Sequence, residues 1–133
     1  VVFLPLLIGS GGNAGSQSAT LVIRSLAVGD VTLKDWFYML SKEMIVASIL
    51  GLSMALGGYI LGIIRGGLEI ASIVAMSMFS IVFIGSIIGI TLPFILTKFK
   101  IDPAISGAPV LTSICDIAGT AIYCSIASIY FLL

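Results

Sequence analysis

Four long stretches with almost no charged residues divide this chain and limit the folds open to it. The first 23 residues carry no charge, and residues 44–64 and 70–97 form uncharged segments of 21 and 28 residues. The last stretch, 103–133, carries one charge, Asp116. A helix that crosses the hydrocarbon core needs about 20 predominantly apolar residues. The pattern predicts an all-α, polytopic transmembrane helix bundle within residues 1–133, with four membrane helices at about 1–24, 44–64, 70–97 and 103–132.

The composition excludes most other classes of protein. Hydrophobic residues make up 59% of the chain and charged residues 9%, whereas a soluble domain is about 25% charged. Six basic residues balance six acidic ones, so there is no basic surface for nucleic acid. The absence of histidine and the few carboxylates argue against an enzyme. Cys115 and Cys124 lie roughly 13 Å apart on one helix, too far for a disulfide, and should be free thiols.

The longest connector is too polar to cross a membrane and carries aromatic residues. Thr32 and Asp35 have the spacing of a helix capping box, and Trp36 and Tyr38 are residues that anchor helices at a membrane surface. We predict a short interfacial helix at about 32–42. An irregular loop is the alternative.

The basic residues are distributed unequally between the two sides of the predicted bundle. Five of the six lie in the connectors 24–43 and 98–102, which fall on one side, and Arg65 lies on the other. Cytoplasmic loops carry the excess of Lys and Arg. We therefore expect a multi-pass protein of the cell membrane, with both connectors in the cytoplasm and the C-terminus outside.

Asp116 is the most informative single residue. In a helix it would lie about 21 Å from residue 102 and about 25 Å from residue 133, near the middle of a bilayer. A charged side chain there costs roughly 2.5–3.5 kcal/mol on insertion scales, so it should face a polar cavity, a partner or an ion. The alternative is a protonated Asp116 that makes a hydrogen bond between helices.

Two helices carry polar side chains at helical spacing, and the other two carry small residues. The polar stripes suggest a cation pathway, although hydroxyl groups can also hold helices together. Hydroxyl, carbonyl and water oxygens suit magnesium, and a two-fold dimer would bring two copies of Asp116 together. The small-residue stripes predict close packing. The polar stripes are Ser10, Asn13, Gln17, Thr20 and Arg24, and Pro109, Thr112, Asp116, Thr120 and Tyr123; the small residues are Gly51, Ala55, Gly58 and Gly62, and Gly85 and Gly89.

Two motifs resemble those of one known family. Residues 11–20 (GGNAGSQSAT), with Pro5 before them and Arg24 after them, resemble the second membrane helix of MgtE-type magnesium transporters. Residues 102–119, with Asp-Pro-Ala, Gly-Ala-Pro, Thr112 and Asp116, resemble the fifth. The resemblance covers essentially the whole chain, which corresponds to the membrane domain of that family.

This resemblance implies a specific assembly and ion site. Members have five membrane helices per protomer, of which the first would precede this chain, and cytosolic regulatory domains that also lie outside it. They form homodimers in the lipid bilayer around a pore that carries Mg²⁺ as the transported ion. The metal-site positions that the resemblance implies are Asp116 for the hydrated ion, Thr112 and Gly119 for backbone groups, Asn13 for a pore-facing amide, and Ala108, which is polar in some relatives.

Three functions are consistent with these features. The first is a magnesium channel or transporter with the ion held at a pair of midplane aspartates on a dimer axis. The second is a proton- or sodium-coupled carrier in which Asp116 titrates. The third is a membrane assembly subunit that does not transport.

Overall fold

The structure is a computed structural model that describes residues 2–133, except for the side chains of residues 105–107. Three α-helices account for most of it: α1 (Leu4–Val28), α2 (Trp36–Lys98) and α3 (Pro103–Leu132). One turn of 3-10 helix, Leu33–Asp35, precedes α2, and no strand occurs in this part of the chain. The all-α prediction is confirmed. The first residue of the predicted helix 1–24, Val1, lies outside the described residues.

The long helix α2 reverses direction at one residue. Gly67 has φ 83° and ψ −175°, a combination that glycine adopts far more readily than other residues. Gly62 lies against Ala71, Gly58 against Val74, and Gly51 against Phe79. The contacting residues lie at increasing distances before and after Gly67, so the two parts of α2 run antiparallel. They are here named the N-terminal half (36–66) and the C-terminal half (68–98) of α2. The small-residue stripe of the N-terminal half therefore packs as predicted.

The predicted interfacial helix at 32–42 is not a separate element. The backbone N–H and the hydroxyl of Thr32 donate to Oδ2 of Asp35 at 2.8 and 3.3 Å, so the two residues of the predicted capping box are in contact. From Trp36 the chain continues into α2 without a break. No glycine or proline occurs between Trp36 and Gly51, so nothing interrupts the helical hydrogen bonds there.

Glycine pairs bring α1 against the C-terminal half of α2. A Cβ atom built on Gly85 would lie 2.6 Å from the carbonyl oxygen of Gly11, and one on Gly15 would lie 2.8 Å from the carbonyl oxygen of Gly85. Gly89 lies even closer to the backbone of Gly15. Real side chains cannot occupy such positions, so the absence of Cβ atoms allows the two backbones to touch. The predicted packing surface at Gly85 and Gly89 is therefore used, and its partner is the glycine-rich α1.

The helix termini divide the charged residues between two ends of the bundle. The end of α1, the end of α2 and the start of α3 meet around a cavity lined by Ile23, Thr97 and Pro103. At this end lie Arg24, Lys34, Lys42, Lys98 and Lys100. At the opposite end, Phe3, Arg65 and Phe131 line another cavity, beside the turn at Gly67. Five basic residues thus lie at one end of the bundle and one at the other.

Local features explain where the helices begin and end. Gly29 closes α1 in the left-handed conformation, with φ 82°. Oδ1 of Asp102 accepts a hydrogen bond from the backbone N–H of Ala104 at 2.9 Å, and Pro103 is the first residue of α3. Helical backbone angles continue through Pro93 in α2.

Two helical stretches are long and apolar enough to cross a membrane, among the helices that the structure describes. They are Leu33–Lys98, which contains the turn at Gly67, and Ala108–Leu132. Large apolar side chains on their outer surfaces are exposed, including Leu52, Ile64 and Ile129. Such a surface fits a lipid environment rather than water.

Candidate functional site

Asp116 lies on the outward flank of α3 rather than in its packed face. Its side chain is exposed, whereas its neighbour Cys115 is 2% exposed and packs inward. Asp116, Thr120 and Cys124 line an open groove of about 450 Å³ together with Ile117 and Ala121. The Thr120 hydroxyl donates to the carbonyl oxygen of Asp116 at 2.8 Å. The groove therefore presents a carboxylate on an otherwise mainly apolar surface.

The backbone of α1 passes beside this carboxylate. A Cβ atom built on Gly12 would lie 3.9 Å from Oδ1 of Asp116, which is an ordinary van der Waals separation. Gly12 precedes Asn13, the amide that the sequence predicts to face an ion pathway. The contact joins the polar helix α1 to the polar flank of α3 at the level of Asp116.

Thr112 and Ala108 lie on α3 one and two turns before Asp116. Both are exposed. The Thr112 hydroxyl lies 3.1 Å from the carbonyl oxygens of Ala108 and Pro109 and donates its one hydrogen within the helix. Bonds of this kind hold the side chain against its own backbone. The methyl group of Ala108 offers no ligand, so any contribution from these two residues comes from backbone carbonyls or the Thr112 oxygen.

Gly119 and Tyr123 turn toward the packed side of α3. A Cβ atom on Gly119 would lie 3.6 Å from Cγ2 of Ile81 and 3.9 Å from Cα of Ile8. Tyr123 is half-buried against the core cluster that contains Leu7 and Met78. The predicted stripe on α3 thus divides: Pro109, Thr112 and Asp116 are exposed, and Tyr123 is not.

Asn13 lines a different groove within this chain. Ser10, Asn13 and Gln17 form its polar side, and Leu50 and Met54 of the N-terminal half of α2 form its apolar side, around a volume of about 210 Å³. Asn13 and Gln17 are exposed, and Ser10 is half-buried. One copy of the chain therefore does not bring Asn13 and Asp116 into one groove.

A single copy offers one acidic group at this site. No three of the cysteine, aspartate and glutamate side chains converge as metal ligands anywhere in the described part of the chain. The two cysteines are free thiols, as expected: Cys115 is buried and Cys124 is exposed. The Asp116 groove can attract a cation but cannot enclose one alone.

Sequence reasoning missed an acidic residue that contacts α1. The Ser18 hydroxyl donates to Oε1 of Glu43 at 2.6 Å, and this contact joins the buried side of α1 to α2. From the sequence alone, Glu43 only marks the residue before the uncharged segment 44–64. A signal is present in the sequence, because Glu43 lies four and eight residues before the small residues Ala47 and Gly51, on the same face of a helix.

Comparison with known proteins identifies the family. A family model for MgtE, described as a divalent cation transporter, matches residues 4–126. The chain belongs to the MgtE family. The resemblance of residues 11–20 and 102–119 to MgtE-type transporters is thereby confirmed, and the family is one of membrane transporters rather than enzymes.

Three curated MgtE relatives align with nearly the whole chain. The magnesium transporter MgtE of Thermus thermophilus is 39% identical over 127 residues, which are 94% of this chain. The magnesium transporter MgtE of Bacillus subtilis is 33% identical over 96% of the chain, and that of Enterococcus faecalis is 26% identical over 97%. The chain spans 28–29% of the length of these MgtE relatives.

Proposed function

We propose that this chain is the ion-conducting membrane region of a magnesium transporter in the cell membrane. It crosses the bilayer four times, by α1, the two halves of α2, and α3. The end with five basic residues faces the cytoplasm, and the C-terminus faces outside. Membership in a divalent cation transporter family and the apolar outer surfaces of α2 and α3 support this proposal.

The observation that carries the proposal is the exposed carboxylate of Asp116 beside the backbone of Gly12. An ionisable side chain on a membrane helix is costly where it meets lipid, so Asp116 needs water, a partner or a cation on its open side. The groove around Asp116 is open. The side-chain amides and hydroxyls of α1 also need polar surroundings in a membrane. A water-filled path along α1 and α3 meets both needs.

A second copy of the chain completes the site in this proposal. One Asp116 supplies a single negative charge, and the described residues hold no further acidic cluster. Two copies around a two-fold axis supply two carboxylates that repel each other until a divalent cation lies between them. Magnesium keeps several of its waters, so two facing carboxylates can hold the hydrated ion without a closed cage.

The other predicted site residues have lesser roles. Thr112 and Ala108 contribute carbonyl oxygens on the exposed flank of α3, and Asn13 contributes an amide from α1 once the second copy is present. Gly119 acts through its small size and backbone, because it packs near Ile81.

The test is an Asp116→Asn variant of the complete protein, compared with Glu69→Gln beside the turn at Gly67. Asp116→Asn keeps the size and hydrogen bonding of the side chain and removes its charge. We expect Mg²⁺-dependent growth of a transporter-deficient strain to fail, and Mg²⁺ affinity by calorimetry to fall at least about tenfold, or more than ~1.4 kcal/mol. Asp116→Glu should keep part of the activity, and Glu69→Gln should keep all of it.

The outcomes separate the possible functions. Normal growth and unchanged affinity for Asp116→Asn would remove the ion site. Loss of the assembled protein with this variant would assign Asp116 to assembly. Uptake by the unchanged protein that follows an imposed proton gradient would instead support a coupled carrier.

A further inference from the structure

We infer that Glu43 is a positioning residue that fixes the rotation of α1 about its own axis through Ser18, and so sets where Asn13 and Gln17 point. This inference rests on the proposed function, in which the polar side of α1 lines the ion path. Ser18 and Gln17 are neighbours in sequence and point to different sides of the helix: Ser18 is 5% exposed, whereas Gln17 is exposed.

The contact between Ser18 and Glu43 is short and directional. The Ser18 Oγ atom is 2.6 Å from Oε1 of Glu43 and 3.1 Å from the carbonyl oxygen of Ala14. The hydroxyl carries one hydrogen, and the shorter distance favours the carboxylate as its acceptor. Such a bond constrains the angle as well as the distance between the two side chains.

Apart from this hydrogen bond, α1 packs on the C-terminal half of α2 through glycines and through the buried side chains of Leu7 and Val22. Where α1 crosses the C-terminal half of α2, the closest contacts join Gly11 and Gly15 to Gly85 and Gly89. Glycines allow the backbones to touch, but they have no side chains that interlock across the interface. A hydrogen bond depends on angle as well as distance, so Ser18–Glu43 supplies an angular restraint that a glycine crossing lacks.

The residue that holds Ser18 is itself well anchored. Trp36 lies seven residues before Glu43, two turns earlier on the same face of α2. Its Nε1 donates to Oγ1 of Thr91 at 3.3 Å, which ties the N-terminal half of α2 to the C-terminal half. Glu43 therefore extends from a helix that is fixed against its partner, and the hydrogen bond transmits that fixed position to α1.

The experiment measures the orientation of α1 directly, by thiol modification of a Gln17→Cys variant. The background is Cys124→Ser, because Cys115 is buried and Cys124 is exposed. Into it are introduced Glu43→Ala, Glu43→Gln, Ser18→Ala and the double change of Ser18→Ala with Glu43→Ala. The modification rate of an Ile117→Cys variant on α3 serves as the control, and size-exclusion chromatography checks assembly.

The inference makes four linked expectations. Glu43→Ala should change the modification rate at position 17 at least threefold and leave the rate at position 117 unchanged. Glu43→Gln, which can still accept the hydrogen bond, should stay within about twofold of the unmodified Glu43. Ser18→Ala should match Glu43→Ala, and the double change should add nothing further. In transport assays, Glu43→Ala and Ser18→Ala should lower the maximal Mg²⁺ flux more than the affinity.

Specific results would overturn the inference. Unchanged rates at position 17 in Glu43→Ala, or equal changes at positions 17 and 117, would show that Glu43 does not orient α1 specifically. A Glu43→Gln protein that assembles and behaves like Glu43→Ala would remove the hydrogen bond as the cause. The thiol readout does not depend on transport, so it can succeed even where Asp116→Asn shows that the proposed ion site is wrong.

Discussion

Gly12 of α1 places its backbone against the carboxylate of Asp116 on α3, with 3.9 Å between Oδ1 and a Cβ atom built on the glycine. At this separation one methyl group fits without displacing Asp116. A longer side chain would extend from that Cβ toward the groove around the carboxylate. The size of the side chain at position 12 of α1 therefore limits the space beside Asp116.

We expect substitutions at Gly12 to separate by size. Gly12→Ala should keep Mg²⁺ uptake within about twofold of the unmodified protein. Gly12→Leu should lower uptake at least about tenfold, because its branched side chain crowds the hydrated ion and the carboxylate. Uptake assays with Mg²⁺ would measure both. Gly57→Leu is the matched control, since nothing lies within 4 Å of a Cβ atom on Gly57. Equal uptake by the Gly12→Leu and Gly57→Leu proteins would contradict the expectation.

Gly15→Ala should destabilise the fold. Its added methyl would lie 2.8 Å from the carbonyl oxygen of Gly85 and 3.1 Å from Sγ of Cys115, so the helices must separate. Overpacking of this kind typically costs about 1–3 kcal/mol. Thermal unfolding in detergent, followed by size-exclusion chromatography, would detect the lower Tm. Gly57→Ala should leave the Tm unchanged or raise it, because alanine favours a helix by about 1 kcal/mol over glycine. A Gly15→Ala protein as stable as Gly57→Ala would show that the crossing is looser than described.

The charge distribution predicts the orientation of the chain in the membrane. A Lys98→Cys variant should react with a membrane-impermeant thiol reagent only after the cells are permeabilised. An Arg65→Cys variant should react in intact cells, because Arg65 lies at the opposite end beside Gly67. Both variants are made with Cys124→Ser to remove the exposed native thiol. Reaction of Lys98→Cys in intact cells would reverse the proposed orientation.

The proposed dimer can be tested with the native thiol Cys124. It lines the same groove as Asp116 and lies about 12 Å from it along α3. We expect the two Asp116 Cα atoms within about 15 Å, a spacing that suits a hydrated ion. Spin labels on Cys124 of the two copies should therefore give a short, defined distance. Labels on an exposed α2 residue, through Ile49→Cys in a Cys124→Ser background, should lie farther apart. A missing intersubunit signal at Cys124 would count against the dimer.

Local patterns in the sequence predicted much of this arrangement. The small residues Gly51, Gly58 and Gly62 recur at helical spacing, which places them on one face whatever they pack against. The small-residue prediction succeeds because helical periodicity is a property of a single segment. That Asp116 faces a polar surrounding stays a prediction from its charge, and the structure shows its side chain exposed on α3.

The contacts between helices could not be predicted in this way, because the periodicity of one segment does not specify which other segment it packs against. The pairing of Gly11 and Gly15 with Gly85 and Gly89 joins segments about 70 residues apart. The contact of Ser18 with Glu43 depends on that crossing. The sequence alone therefore shows Glu43 only as the charged residue before the uncharged segment 44–64. The split of the α3 stripe, with Tyr123 packed inward and Asp116 outward, is decided by the partners of α3. Residues 36–42 continue into α2, because no glycine or proline there stops a helix, and polar and aromatic character alone does not predict where one helix ends.

The turn at Gly67 has a consequence for how the protein enters the membrane during synthesis. Between residues 44 and 97 the only charged side chains are Arg65 and Glu69, on either side of that turn and of opposite sign. A helical hairpin that inserts as one unit must carry its tip across the hydrocarbon layer, and each charge there opposes the crossing. Because the reversal uses one non-helical residue, this tip has no loop of its own, and its net charge is zero. In the proposed four-span arrangement, insertion of this pair therefore moves only two charged side chains of opposite sign across the layer.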